Sequence, residues 1–147
     1  MTSERRELHE TVEGRLRAVG QRYTANRRAL VDGLLAARGP VSIGGLVGGT
    51  RALPQSSVYR NLTVLEHAGV IRRVITDDDF ARFELDEGLT EHHHHLVCSN
   101  CGRIEDVEVP AHVERSLGRS LDVLAKGAGF ASVAHRLDLI GLCRSCA

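Results

Sequence analysis

Apolar side chains recur at Leu8, Val12, Leu16 and Val19, a helical spacing that predicts a helix over about Glu7 to Val19, stopped by Gly20. Thr24 is a suitable N-cap for a second helix with Leu30, Leu34 and Leu35 as its stripe, and Arg38-Gly39-Pro40 breaks it. Ser42 caps a short third helix running to Val47, weakened by its glycines. Pro54 and Ser56 open a stronger helix in which Val58, Leu62 and Leu65 share one face, with Gly69 as its C-cap. Ser57, Tyr59, Arg60, Asn61, Thr63 and Val64 lie off that stripe. The pattern then changes to VIRRVIT, an acidic turn at Asp77, Asp78 and Asp79, and FARFEL, which predicts a β-hairpin. Three helices and then a hairpin is the order of a winged helix-turn-helix.

Beyond Asp86 the texture differs. EGLTE at 87–91 reads as a hinge or linker. His92 to Val97 is strand-like, and RIEDVEV alternates, with Ile104, Asp106 and Glu108 on one face. A helix from about Ala111 to Lys126 is expected to bury Val113, Leu117, Leu121 and Leu124, and FASVAHRLDLIGL returns as a strand. The expected fold class is α+β: a winged-helix domain over 1–86, with 1–13 as an N-terminal extension, and a small α+β domain over 92–147. A β-β-α-β module of that size is too small for a large core, so one face calls for a partner.

Composition narrows the class. Of the 147 residues, 42% are apolar and 26% charged, which is ordinary for a folded soluble protein. No apolar run is long enough for a membrane span, and the charged start MTSERRELHE lacks a signal peptide's apolar stretch, so the cytoplasm is the expected location. In that reducing compartment cysteine pairs read as metal ligands before disulfides. The net charge of zero hides a split: residues 1–76 hold 12 Arg against 6 Asp/Glu, and residues 77–147 hold 7 Arg/Lys against 13 Asp/Glu. A basic half suits a polyanion such as DNA, and an acidic half with His and Cys suits cations.

Cys98, Cys101, Cys143 and Cys146 form two CxxC pairs separated by 41 residues. Two such knuckles give a tetrahedral thiolate set for zinc, with Zn–S near ~2.3 Å. A thioredoxin-like redox pair needs only one CxxC and a βαβ setting. Four thiolates leave no position open for water, so this zinc is expected to build rather than catalyse. The run His92-His93-His94-His95 lies well inside the chain. In an extended strand His92 and His94 face one way and His93 and His95 the other, so one run can serve two metal sites. Neutral imidazole suits zinc, iron, nickel or copper. Glu84, Asp86, Asp106, Glu114 and His135 are the candidates for completing these sites. On the helix at 54–68, Tyr59 and Arg60 are of types that contact base edges and phosphates. Alone they read as a solvated surface, but with the charge split and the winged pattern they favour DNA.

The ordered segments RYTANRRALVDGLL, SSVYRNLTVLEHAGVIRR, RFEL, HHHHLVCSNCG and HRLDLIGLCRSC resemble the ferric uptake regulator family of bacterial metalloregulators, over about Val19 to Cys146. The resemblance implies a winged helix followed by a dimerisation domain, in a homodimer that represses operators on double-stranded DNA when its sensed metal is bound. It places structural Zn2+ on Cys98, Cys101, Cys143 and Cys146. It places a regulatory hinge site on Glu84, His93 and His95, and a second dimerisation-domain site on His92, His94, Glu114 and His135. DNA-binding residues fall at Arg22, Ser57, Tyr59, Arg60 and Asn61. Pro40 stands where many members have a His, so Glu84, Asp86 and Asp106 all stay open for completing the hinge site. The unbroken His run resembles the zinc uptake regulators within the family, so Zn2+ is the expected regulatory ion, with Fe2+, Mn2+ or peroxide sensing as alternatives. The expected mechanism is a hinge clasp, in which metal fixes one relative angle of the two domains and so the spacing of the recognition helices. A zinc hydrolase, or a zinc storage or chaperone module, is the rival of a different class. No HExxH, nucleophile elbow or phosphate loop supports an enzyme, and no small-molecule substrate or membrane partner is expected.

Overall fold

The computed structural model describes residues 1–49, 53–78 and 80–147, so Asp79 of the expected acidic turn lies outside the described residues. The chain forms two compact units, Met1–Glu91 and His92–Ala147.

In the first unit, α1 (Ser3–Ala18) is capped by the Thr2 hydroxyl and begins four residues earlier than the apolar spacing indicates, because charged residues extend it without adding to its stripe. Thr24 caps α2 (Ala25–Ala36) by accepting from the Arg27 N–H. A two-residue strand β1 (Val41–Ser42) precedes α3 (Ile43–Gly49), and the Ser42 hydroxyl accepts from the Gly45 N–H. α4 (Gln55–His67) ends near Gly69, whose φ of 72° suits a residue without Cβ. β2 (Ile71–Val74) and β3 (Arg82–Leu85) form the hairpin, and β1 pairs with the free edge of β3, giving the order β1-β3-β2. Val12, Leu16, Leu30, Leu34, Val58, Leu62, Leu65 and Phe83 belong to one buried cluster, drawn from all four helices and the sheet. Residues 87–91 are folded onto this unit: Leu89 packs on the cluster, its N–H donates to the Asp86 carbonyl, and Arg15 pairs with Asp86 at 2.9 Å.

In the second unit, β4 (His94–Cys98) lies between antiparallel β5 (Ile104–Val107) and parallel β6 (Asp138–Gly141), with α5 (Ala111–Gly127) in the connection. α5 is amphipathic, but its expected burial does not occur within one chain. None of its residues is buried, and Val113 and Leu124 are 43% and 72% exposed. Ile140 and Leu142 are exposed as well. The sheet is too small to cover a helix of 17 residues. The expected long final strand shrinks to β6, because only Asp138–Gly141 has β4 beside it. Among the described residues of this unit the buried side chains are His94, His95 and Cys98, all of them potential metal ligands.

Candidate metal centres and nucleic-acid interface

Cys98 closes β4 and Cys101 follows in a tight turn, which Gly102 completes with a φ of 75°. Cys143 and Cys146 lie in the turn after β6. Because β4 and β6 run parallel with Cys98 opposite Gly141, both turns reach the same end of the sheet. One sulfur from each of the four cysteines lies within 4.8 Å of the others, and none is in a disulfide. Backbone N–H groups of Cys101, Cys143 and Asn100 directed at the Cys98 sulfur lower that thiol to about 6. At Cys101 the Arg103 N–H pulls the thiol down, but the sulfurs of Cys98 and Cys143, burial, and the Cys146 sulfur together outweigh it and push the thiol up to about 11. Four sulfurs this close cannot all be thiolates without a cation among them, and the set fits one tetrahedral zinc.

The histidine run divides between two faces. On one face His92 Nε2 is 3.3 Å from His94 Nε2, and both approach Glu114, at 3.0 and 2.8 Å. His135 Nε2 comes within 2.5 Å of Glu114 Oε1 from the segment before β6, yet has no aligned hydrogen-bond partner. The hydrogen bond with His94 holds the Glu114 carboxyl below the usual carboxylate range. Three imidazole nitrogens thus face one carboxylate. Two of the nitrogens confront each other, and the buried His94 Nδ1 is left without a partner. That donor set fits a cation better than it fits its own hydrogen bonds.

On the other face His93 Nε2 and His95 Nε2 are each 3.6 Å from Asp106 Oδ1, too long for hydrogen bonds and convergent on one point. The β4–β5 register sets this up by placing His95 directly opposite Asp106. The second nitrogen of His95, Nδ1, is 3.3 Å from Asp138 Oδ1. Two imidazoles and a carboxylate form a set that accepts a divalent first-row metal.

In the first unit Glu84 is buried on β3, and its Oε1 accepts from Arg72 Nε at 2.6 Å. Asp86 accepts from Arg15 and from the Gly88 N–H, which commits it to the local turn.

The outer face of α4 presents Tyr59, 53% exposed, and Arg60, opposite the buried Val58, Leu62 and Leu65. Arg22 is exposed in the α1–α2 connection. Ser57 and Asn61 are half-buried, and the Asn61 amide is engaged on both sides. Its Oδ1 accepts from Arg27 Nε at 3.0 Å, and its Nδ2 donates to the Ser57 carbonyl at 2.9 Å. Arg27 also donates to the Arg22 carbonyl at 2.5 Å. Sequence reasoning misses Arg27 and Asp138. Each works through a partner more than thirty residues away, and strand register was the only available signal for Asp138.

A family model described as the ferric uptake regulator family matches residues 18–140. The chain belongs to the ferric uptake regulator family. That membership makes it a metalloregulator of transcription, and its relatives are regulators. It is 29% identical over 144 residues to a peroxide operon regulator of Bacillus subtilis strain 168, covering 95% of this chain and 93% of that one. It is 37% identical over 91 residues to a ferric uptake regulation protein of Bordetella parapertussis, covering 62% of this chain and 60% of that one. The fold matches the Helicobacter pylori ferric uptake regulator with a TM-score of 0.75 at 23% identity, covering 96% and 92% of the two chains. Among the described residues no helix is long and apolar enough to cross a membrane.

Proposed function

We propose that this chain is a cytoplasmic repressor that binds operator DNA as a homodimer when loaded with a divalent metal, and that the metal is zinc. The observation that carries the reading is the convergence of His92, His94, His135 and Glu114, three nitrogens and one oxygen, in a set suited to tetrahedral zinc. The four cysteines hold a structural zinc that joins the end of β4 to the chain's last residues. His93, His95 and Asp106 form the regulatory centre, and the family resemblance adds Glu84 from the wing as a further ligand. Bound metal supplies charge neutralisation and a fixed arrangement of these side chains. It shifts the protein toward its DNA-binding form only by binding that form more tightly. The exposed apolar residues of α5 and β6 provide the surface for a second copy. Tyr59 and Arg60 read the major groove, Arg22 contacts the backbone or minor groove, and Ser57 and Asn61 support the face.

A second reading, iron or manganese sensing linked to peroxide, draws on Asp106. Two imidazoles with a carboxylate also suit iron(II) and manganese(II), and a relative aligned over nearly its full length is named a peroxide operon regulator.

The test is operator binding, on a duplex selected from random sequence, under a panel of zinc, iron(II) and manganese(II). Zinc is expected to promote binding and a chelator to reverse it. The response is expected to vanish in a His93→Ala, His95→Ala double variant that still holds zinc on its cysteines. Metal-responsive binding that persists unchanged in that variant rules out the regulatory centre, and a response to iron(II) or manganese(II) alone transfers the reading to the second metal class.

A further inference from the structure

In the first unit Arg5, Arg15, Arg72, Arg73 and Arg82 each pair with a carboxylate. Arg28 does not. Asp32, four residues further along α2, is the partner that helical spacing offers it. That carboxylate is already engaged: its Oδ1 lies 2.8 Å from Arg5 Nη2 and 2.9 Å from His9 Nε2. Arg28 lies instead over the ring of Tyr23, with Cζ 4.7 Å from the ring centroid. Arg73 stacks in a similar way on Phe83 at 5.2 Å, but Arg73 also pairs with Glu66. Among the described residues, Arg28 thus combines a fixed seat with an exposed charge that no carboxylate neutralises.

The seat is itself braced. His9 is 4% exposed on α1, and its Nδ1 lies 2.6 Å from the Tyr23 hydroxyl while its Nε2 faces Asp32. A carboxylate only accepts, so Nε2–H donates to Asp32 and Nδ1 accepts from the Tyr23 hydroxyl. The ring of Tyr23 is therefore anchored through its hydroxyl, and its face is left for Arg28. Stacking uses the flat side of the guanidinium and leaves its N–H edge open, the edge that forks onto phosphate oxygens. At the preceding position Arg27 ties the start of α2 to Asn61 of α4 at 3.0 Å and to the Arg22 carbonyl at 2.5 Å. The start of α2, and Arg28 with it, is held beside the helix that carries Tyr59 and Arg60.

We propose that Arg28 contacts a phosphate of bound DNA, and that Tyr23, braced by His9, is the positioning residue that presents it. The proposal rests on the reading of α4 as the DNA-reading helix. A guanidinium already seated on a ring loses less side-chain freedom on binding than one on a free stem. A phosphate contact carries no base information. It adds affinity and makes that affinity depend on salt.

Fluorescence anisotropy of the full-length, zinc-loaded protein on its selected operator, repeated over a series of salt concentrations, tests it. Arg28→Ala is expected to weaken binding severalfold, by similar factors on the operator and on single-base variants of it. The slope of log affinity against log salt is expected to become shallower by about one for each protomer bound. Tyr23→Leu, which removes the platform, is expected to reproduce much of the affinity loss, yet to add little in an Arg28→Ala background. Tyr23→Phe keeps the ring and is expected to bind nearer to wild type than Tyr23→Leu does. An unchanged slope in Arg28→Ala, or a loss confined to one base position, overturns the proposal. Tyr23→Leu binding as wild type does, or losing as much with Arg28→Ala as without it, overturns the positioning role of Tyr23. If wild type itself shows no salt-dependent affinity for duplex DNA, the DNA-binding reading falls and the proposal with it.

Discussion

Asn61 lies on α4 beside Tyr59 and Arg60, on the face proposed to meet DNA, yet both ends of its amide are engaged by Arg27 and Ser57. A side chain so held shapes the reading face without naming a base. Asn61→Ala removes the Arg27 anchor at a cost of about 1 kcal/mol, the net worth of an ordinary hydrogen bond. Operator affinity is expected to drop severalfold, by similar factors on operators with single base changes. Anisotropy titrations on a panel of such operators check this, and a loss of preference at one base position would show that Asn61 reads DNA directly. At this scale the alternation of the histidines was legible, because a period of two needs nothing beyond an extended backbone. The partners of Asn61 and His95 were not, because each contact depends on how separate elements dock.

The wing has its own internal lock. Asp78 accepts from Thr76 Oγ1 at 2.7 Å and from Arg82 through both carboxylate oxygens, at 2.8 and 2.7 Å. The Arg82 hydrogen bonds, the largest cause, hold the Asp78 carboxyl well below its usual range, and the same contact raises Arg82. A depressed carboxyl stabilises the folded form fully above its unfolded value of ~3.9 and gives that up as pH falls through the lower folded value. The lock is therefore intact at neutral pH and opens only in strong acid. Asp78→Asn is expected to speed hydrogen exchange of the Phe80 and Arg82 amides at pH 7 while leaving those of α2 and α4 unchanged. Equal exchange in both proteins would mean that the turn is held by its backbone alone. Most elements were readable from period and caps, Thr24 before α2 and Gly69 after α4 among them. The short β1 was not, since two residues carry no pattern and Val41–Ser42 become a strand only by meeting Phe83 and Arg82.

At the scale of the molecule the two units are built on different physics. The apolar cluster lies entirely within the first, while the second buries His94, His95 and Cys98. A unit of 56 residues with candidate metal ligands at its centre is expected to draw its stability from bound metal and from the proposed second copy. Stripping zinc with a strong chelator is expected to unfold the second unit and leave the first folded. Calorimetry should then show one transition lost or moved far down and one nearly unchanged, and zinc should restore the first. A single transition shifting as a whole would show that the first unit depends on the metal as much as the second. The sequence disclosed this contrast only in part. The apolar stripe of α5 reads as burial, and nothing in its pattern says that this one chain leaves the stripe uncovered.

β4 is five residues long and carries parts of three proposed ligand sets, with His94 in one, His95 in another and Cys98 in the third. Exchanging one of these residues damages one set. Inserting or deleting a single residue just ahead of Cys98 reverses which side every upstream imidazole faces, and both histidine sets lose their members together. Over this stretch the gene can tolerate changes of letter far better than changes of length, so natural variants of the chain should differ here by substitution and almost never by a gap.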